Sequence, residues 1–187
     1  MFKIRLATFD DMPAILEISN WAAANTAANF AIEPESLELW QETWTQTHEF
    51  YPYFIAEDES VIGFAKASPW KGRCAYSHSC EVTVYVHPEH HRKGVGKALY
   101  EKLITTLKTQ GYYTLLGGIT QPNVASVGLH ESLGFKRVAL FERIGWKFDR
   151  WHDVGYWELV LRDGDGAPQP IVCCREAASG VGDKGDY

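Results

Sequence analysis

Apolar and polar residues alternate around Ile4 and Leu6, and a period of two marks a strand with one buried face. Thr8 precedes Asp10, Asp11 and Pro13, which reads as a helix start, and Ile15, Ile18 and Ala22 fall on one face of the helix it opens. Over residues 34–47, Leu37, Trp40 and Trp44 recur at helical spacing and predict a second helix with its aromatics in the core. Residues 51–56 and 61–67 read as strands of an antiparallel hairpin joined by an acidic turn at 57–60. Residues 81–87, EVTVYVH, are β-branched and apolar on both faces toward their end, as a central strand is.

In the second half, Val95, Ala98, Leu99, Leu103 and Leu107 predict an amphipathic helix over 95–109 that Gly111 ends. Residues 113–119 read as a buried strand, 123–133 as a helix closed by Gly134, and 135–141 and 156–161 as the last strands. Hairpins in front and β-α-β units behind predict an α+β (mixed α/β) fold, a single twisted sheet flanked by helices. Residues 163–187 carry five Gly and two Pro in 25 positions, which separates a tail from a domain over 1–162. The tail's one apolar piece, IVCC at 171–174, is its expected docking point.

The 187 residues are 45% apolar, enough for one domain with a sizeable core. The net charge of -6 repels phosphate backbones, so nucleic acid and anionic membranes are not expected partners. No apolar run reaches the roughly 18 residues of a membrane span, and the first residues lack a signal peptide's apolar stretch, so a cytoplasmic location is expected. Cys74, Cys80, Cys173 and Cys174 form no disulfide pattern and read as reduced thiols. Cys74, His78, Cys80, His87, His90 and His91 crowd together in sequence, but their spacing matches neither a C-x2-C pair nor an H-E-x-x-H helix, so no metal is expected.

The chemistry concentrates in VYVHPEHHRKGVGKAL, residues 84–99, where a strand turns into a helix. Gly94 and Gly96 let backbone N–H groups approach a ligand without a β-carbon in the way. Free N–H groups at a helix start, the helix dipole, and Arg92, Lys93 and Lys97 together make an anion site that a pyrophosphate fits. A dinucleotide fingerprint would need a third glycine at Leu99, and the P-loop pattern is absent. On these residues alone, a tight turn carrying solvated basic side chains is an equal reading.

VYV (84–86), HRKGVG (91–96), Asn123 and HESLGF (130–135), in that order, resemble the GNAT superfamily of acetyl-CoA-dependent N-acetyltransferases over residues 3–161. Asn29 and Phe30, PWKGRCAY (69–76), EVTVYVHP (81–88), SVGLHESLGF (126–135) and KFDRWHDVGYW (147–157) are similar to its phosphinothricin and methionine sulfoximine acetyltransferase group. The resemblance implies a mostly antiparallel sheet with a splayed central strand pair. It also implies acetyl-CoA as co-substrate, without a metal, and an acetyltransferase acting by direct attack on the α-amine of a small amino-acid analogue.

In that scheme the amides of Arg92, Lys93, Gly94, Val95, Gly96 and Lys97 hold the pyrophosphate, and Val84, Tyr85 and Val86 hold the pantetheine arm, with Asn123 and Ser126 on the same side. Glu81 is the general base, and His130, where many superfamily members carry tyrosine, protonates the departing sulfur. Lys71, Arg73 and Tyr76 bind the substrate between the walls Phe30 and Val154. A homodimer is expected, its interface on the aromatic final strand at Tyr156 and Trp157. The chain departs from the group at His91, where Gln or Arg is usual, at Cys80 before the base, and at Ala31, where phosphinothricin enzymes tend to carry arginine. Acetylation of ordinary amino acids or peptide N-termini is the alternative activity. A non-catalytic acyl-CoA-sensing module is the alternative class, against which Glu81 and His130 speak.

Overall fold

In the computed structural model, residues 1–162, 164 and 166–179 are described, so the rest of the expected tail lies outside the described residues. Strand β1 (Lys3–Leu6) leads through a 3-10 turn at Phe9–Asp11 into α1 (Met12–Asn25). The carboxylate of Asp11 accepts from the Thr8 N–H and hydroxyl and from the Arg5 guanidinium at 2.7 to 2.9 Å, which holds its pKa down at about 2. Helix α2 (Leu37–Thr47) starts at Ser36, whose hydroxyl accepts from the Leu39 N–H.

The hairpin β2 (Tyr53–Asp58) and β3 (Ser60–Pro69) is followed by β4 (Ser79–Val86), α3 (Val95–Gln110), β5 (Thr114–Gln121), α4 (Val124–Ser132), β6 (Lys136–Lys147) and β7 (Arg150–Val160). The strands form one sheet in the order β1-β2-β3-β4-β5-β7-β6, antiparallel at every step except β4 to β5. That parallel pair holds only from Ser79 to Glu81 against Thr114 to Leu116, whereas β3 stays paired with β4 out to Val86. Past Glu81 the two central strands part.

Helix α3 lays Leu99, Tyr100, Leu103 and Leu107 on one sheet face against Phe54, Ala65 and Leu115. Helices α1 and α2 cover the other face with Ile15, Trp40 and Trp44 against Ile55 and Phe64, so the predicted aromatic stripe is core. The apolar piece of the tail docks as expected. Val172 N–H donates to the Gln110 carbonyl at 2.9 Å and Cys174 N–H to the Glu49 carbonyl at 2.7 Å, and α5 (Cys174–Ser179) packs on α3.

Two expectations change. Strands β6 and β7 run well past 141 and begin well before 156, because the hairpin turns at Phe148 and Asp149, with φ of 51° and 55°. Such turns normally advertise themselves with Asn-Gly or Asp-Gly, and here Asp149 is the one such residue, preceded by Phe148 and followed by no glycine. Trp157, expected at an interface, is only 2% exposed and belongs to the core, while β6 leaves Val138, Leu140, Ile144 and Trp146 exposed along the sheet edge. Among the described residues no helix is long and apolar enough to cross a membrane.

Candidate active site

A groove of about 580 Å³ opens where β4 leaves β5. The Val82 carbonyl accepts the Tyr100 hydroxyl at 3.3 Å and the Val86 carbonyl accepts from His91 Nε2 at 2.9 Å, so both carbonyls point away from β3. Backbone direction alternates along a strand, which turns the N–H and C=O of Val84 into the same gap. At the far end of the groove Gly94 caps α3 with φ 81°, a left-handed conformation that suits glycine. The N–H groups of Val95, Gly96 and Lys97 form the first turn and have no intrahelical acceptor.

A methyl group at Gly96 would meet Leu129 and Val86 at 3.6 Å and Val84 at 4.0 Å, all ordinary contacts, so the protein's own packing does not require glycine there. The open strand edge and the bare helix start fit an extended arm ending in a diphosphate. Val84, Tyr85, Val86, Arg92, Val95, Lys97, Asn123 and Ser126 line the groove with both glycines, whereas Lys93 is exposed and outside it. Asn123 also caps α4, its Oδ1 accepting from the Ser126 N–H at 3.0 Å. His91 fastens the loop to Val86.

His130 is buried on the groove wall. Its Nδ1 lies 2.8 Å from the Ser126 carbonyl, which can only accept, so Nδ1 carries the hydrogen and Nε2 the lone pair. Nε2 faces the Tyr100 hydroxyl at 3.2 Å, and the single hydrogen of that hydroxyl is shared between Nε2 and the Val82 carbonyl. Burial lowers the imidazole pKa, which keeps the ring neutral. The ring rests on bare backbone, since a methyl at Gly117 would stand 2.6 Å from Nε2.

A second cavity, of about 390 Å³, shares Ala28, Thr83, Tyr85 and Gly118 with the groove and adds Glu81, Lys66, Glu35, Trp40, Tyr53 and Phe30. Glu81 is half-buried, and its carboxylate makes no hydrogen bond or ion pair among the described residues. Burial raises its pKa, and the charges of Lys71 and Lys66 partly oppose that rise. Phe30 is held from two sides. Its ring lies over Gly145, where a methyl would stand 2.6 Å from Cζ, and the buried Lys147 ammonium donates to the carbonyls of Ala23, Asn29 and Ala31.

Of the residues expected to bind substrate, only Phe30 lines this cavity. Lys71, Arg73 and Tyr76 stand on the exposed segment between β3 and β4, with Lys71 Nζ 4.7 Å from the Trp70 ring centre. Val154 is half-buried in β7 opposite Thr120 and Phe141, outside both cavities. Sequence reading missed Lys66, Glu35, Tyr53, Tyr100 and Lys147. A lysine inside the apolar run GFAKAS was the one visible signal. Among the described residues, His87, Glu89 and His90 bring possible metal-ligand atoms within 4.8 Å of one another, because a 3-10 turn folds up a spacing that resembles no linear metal motif.

Comparison with known proteins adds four likenesses. The family model described as acetyltransferase (GNAT) family matches residues 15–135. The phosphinothricin N-acetyltransferase of Streptomyces viridochromogenes is 39% identical over 157 residues, covering 83% of this chain and 86% of that protein. The L-methionine sulfoximine/L-methionine sulfone acetyltransferase of Salmonella typhimurium is 35% identical over 169 residues, 88% of this chain and 97% of that one. The crystal structure of a phosphinothricin acetyltransferase from Sinorhizobium meliloti in complex with acetyl-CoA superposes with a TM-score of 0.85 at 32% identity, covering 91% of this chain and 95% of that one.

Proposed function

This chain belongs to the GNAT acetyltransferase family, and we propose that it transfers the acetyl group of acetyl-CoA to the α-amine of a small amino-acid analogue of the phosphinothricin, methionine sulfoximine and methionine sulfone class. The observation that carries this reading is the position of Glu81. Its unpartnered carboxylate lines the second cavity at the residue where β4 leaves β5, and Val84, three residues on, turns its N–H and C=O into the groove.

Acetyl-CoA supplies a thioester carbonyl open to attack by an amine. The Val84 backbone takes the extended arm as a neighbouring strand would, and the amides of Val95, Gly96 and Lys97 receive the diphosphate with Arg92 and Lys97 at the mouth. An α-ammonium is mostly protonated at neutral pH, so the amine becomes nucleophilic only after Glu81 removes its proton. A carboxylate whose pKa is raised is a better acceptor for that proton. The amine then attacks the thioester carbonyl directly, with no covalent acyl-enzyme: the C–N bond forms, the C–S bond breaks, and coenzyme A leaves as a thiolate that takes its proton from solvent as the new amide nitrogen gives one up. Cys80 is fully buried and its thiol pKa is pushed well above the usual range, which disqualifies it as a nucleophile. For His130 we propose positioning rather than proton donation to sulfur. Its Nε2 bears a lone pair and burial opposes recharging it, so its service is to hold the Tyr100 hydroxyl on the groove wall. The exposed apolar row on β6 supports a homodimer along that edge, which sedimentation would detect.

The test is thiol release from acetyl-CoA over a panel of amines, for wild type and Glu81→Gln. Release with acidic or oxo-bearing amino-acid analogues, lost in the variant, is expected. Tight acetyl-CoA binding with no turnover on any amine overturns the reading in favour of a sensor module.

A further inference from the structure

The cavity that holds Glu81 holds a second charged group with no hydrogen bond or close ion pair among the described residues. Lys66 lies opposite Thr83 in the β3–β4 register, and Glu81 lies opposite Ser68. Paired residues of antiparallel strands share a face, so Lys66 and Glu81 are diagonal neighbours on one side of the sheet, about 7–8 Å apart at the backbone. The Lys66 ammonium sits 4.5 Å from the Trp40 ring centre and 5.4 Å from that of Tyr53. It forms no hydrogen bond and no ion pair within 4.0 Å among the described residues, although it lines the cavity. Two aromatic rings flank the cation, and the N–H donors they leave uncovered have only the cavity to address.

We propose that Lys66 is the specificity-determining residue of the acceptor site, donating hydrogen bonds to an oxo group at the end of the acceptor's side chain, such as a sulfone, sulfoximine or phosphinate oxygen. This rests on the reading of Glu81 as the base that meets the α-amine. With the amine at Glu81, the α-carboxylate stays one carbon away, whereas the end of the side chain extends several bonds farther, across the diagonal to Lys66. Glu35 completes the setting. One of its oxygens accepts from the Trp40 indole N–H at 3.1 Å, and its charge is the leading influence that favours the ammonium form of Lys66 against burial. A cation balanced by a fixed carboxylate suits a strongly dipolar oxygen as well as an anion. It leaves an acceptor with a plain thioether or hydrocarbon side chain facing the N–H donors that the two rings do not cover.

The competing explanation is structural, with the lysine stem packing on Trp40 and Tyr53 and its head serving no ligand. The experiment separates the two by a ratio. Initial rates with acetyl-CoA are measured for methionine sulfone and for methionine, on wild type, Lys66→Met and Lys66→Arg, with acetyl-CoA titrations to confirm that each variant is folded. The expected result is a sulfone-over-methionine ratio of kcat/KM that falls about 10- to 100-fold in Lys66→Met and recovers at least in part in Lys66→Arg, which keeps the cation. A structural lysine would lower the melting temperature or both activities and leave the ratio where it was, and that outcome overturns the inference. An arginine variant that behaves like the methionine variant overturns it as well. Calorimetric titration of methionine sulfone in the presence of CoA distinguishes this failure from that of the proposed function. Binding that depends on Lys66 without turnover in wild type sinks the acetyltransferase reading and leaves Lys66 as the oxo-group anchor, while turnover with an unmoved ratio sinks Lys66 alone.

Discussion

The groove and the cavity meet at Thr83, Tyr85 and Gly118 yet are built in opposite ways. The groove is a backbone device. A strand edge, a left-handed glycine and the first turn of a helix supply its polar groups, and nearly all of them come from residues 82–97. The cavity is a side-chain device, assembled from α1, the loop that follows it, α2 and strands β2 to β5. A ligand common to a whole family can be held by main-chain amides, which tolerate drift in side chains. A ligand that differs between members has to be read by side chains, and those are drawn from wherever the fold brings them together.

The wall between the two regions gives the largest expected effect. Glu81→Gln keeps the shape and removes the proposed base, so kcat is expected to fall about 10²- to 10⁴-fold while acetyl-CoA binding, which the proposal assigns to the groove, stays intact. Because burial raises the Glu81 pKa, the wild-type acid limb of kcat/KM should lie above the ordinary carboxylate value of about 4.3. Activity then rises with pH through that limb as the carboxylate form accumulates, and the limb disappears in the variant. Loss of acetyl-CoA affinity in Glu81→Gln would erase the separation between groove and cavity.

Next in size is Gly117→Ala. The added methyl would stand 2.6 Å from His130 Nε2, and the ring has little room to retreat because Nδ1 is tied to Ser126 and Phe135 packs edge-on at 5.1 Å. Overpacking of this kind costs about 1–3 kcal/mol, measurable by denaturant unfolding. The kinetic damage should fall on kcat through the displaced Tyr100 hydroxyl, with the choice among acceptors unchanged. A variant as stable as wild type would show that His130 is more loosely held than its contacts imply.

Lys147→Met acts on the cavity from a distance. Removing the ammonium strands the carbonyls of Ala23, Asn29 and Ala31, and the loop carrying Phe30 loses its tether to the β6–β7 hairpin. One lost charged hydrogen bond is worth about 1.5–3 kcal/mol, so an acceptor KM raised roughly tenfold is expected together with a lower melting temperature. The acetyl-CoA KM should barely move. A coenzyme KM that rose in parallel would mean the loop serves both regions.

What was legible in the sequence follows the same division. The strand-turn-helix of the groove is contiguous, so glycines, basic residues and β-branched runs announce it, and of its expected residues only Lys93 lies off the lining. Most elements were visible from periodicity, and the extension of β6 and β7 was not, because Phe148 adopts positive φ at the turn and only Asp149 beside it is a residue that usually signals one. The cavity was mostly illegible. Trp40 read correctly as core but also lines the cavity, Lys66 hides within an apolar strand, and Lys147 acts 116 to 124 positions away from its partners. Loop residues such as Lys71 and Arg73, conspicuous by charge, stand outside the cavity. Linear charge marks exposed surface more readily than it marks a site whose members meet only in the fold.

Gly96→Ala carries the smallest effect and the sharpest contrast. Its methyl meets protein atoms no closer than 3.6 Å, and the residue lies in the first turn of a helix, where alanine gains at most the roughly 0.8–1 kcal/mol that it gains over glycine in a helix interior. Stability should therefore hold or rise slightly. If the space over Gly96 is kept for a diphosphate, the same methyl intrudes on the ligand, and the acetyl-CoA KM should increase several-fold while the acceptor KM and the sulfone-over-methionine ratio do not change. Stability and coenzyme affinity would then move in opposite directions from one methyl group, which packing inside the protein alone cannot produce. An unchanged acetyl-CoA KM would mean that the ligand does not approach the backbone at this turn, and the division between a backbone-built groove and a side-chain-built cavity would lose its strongest support.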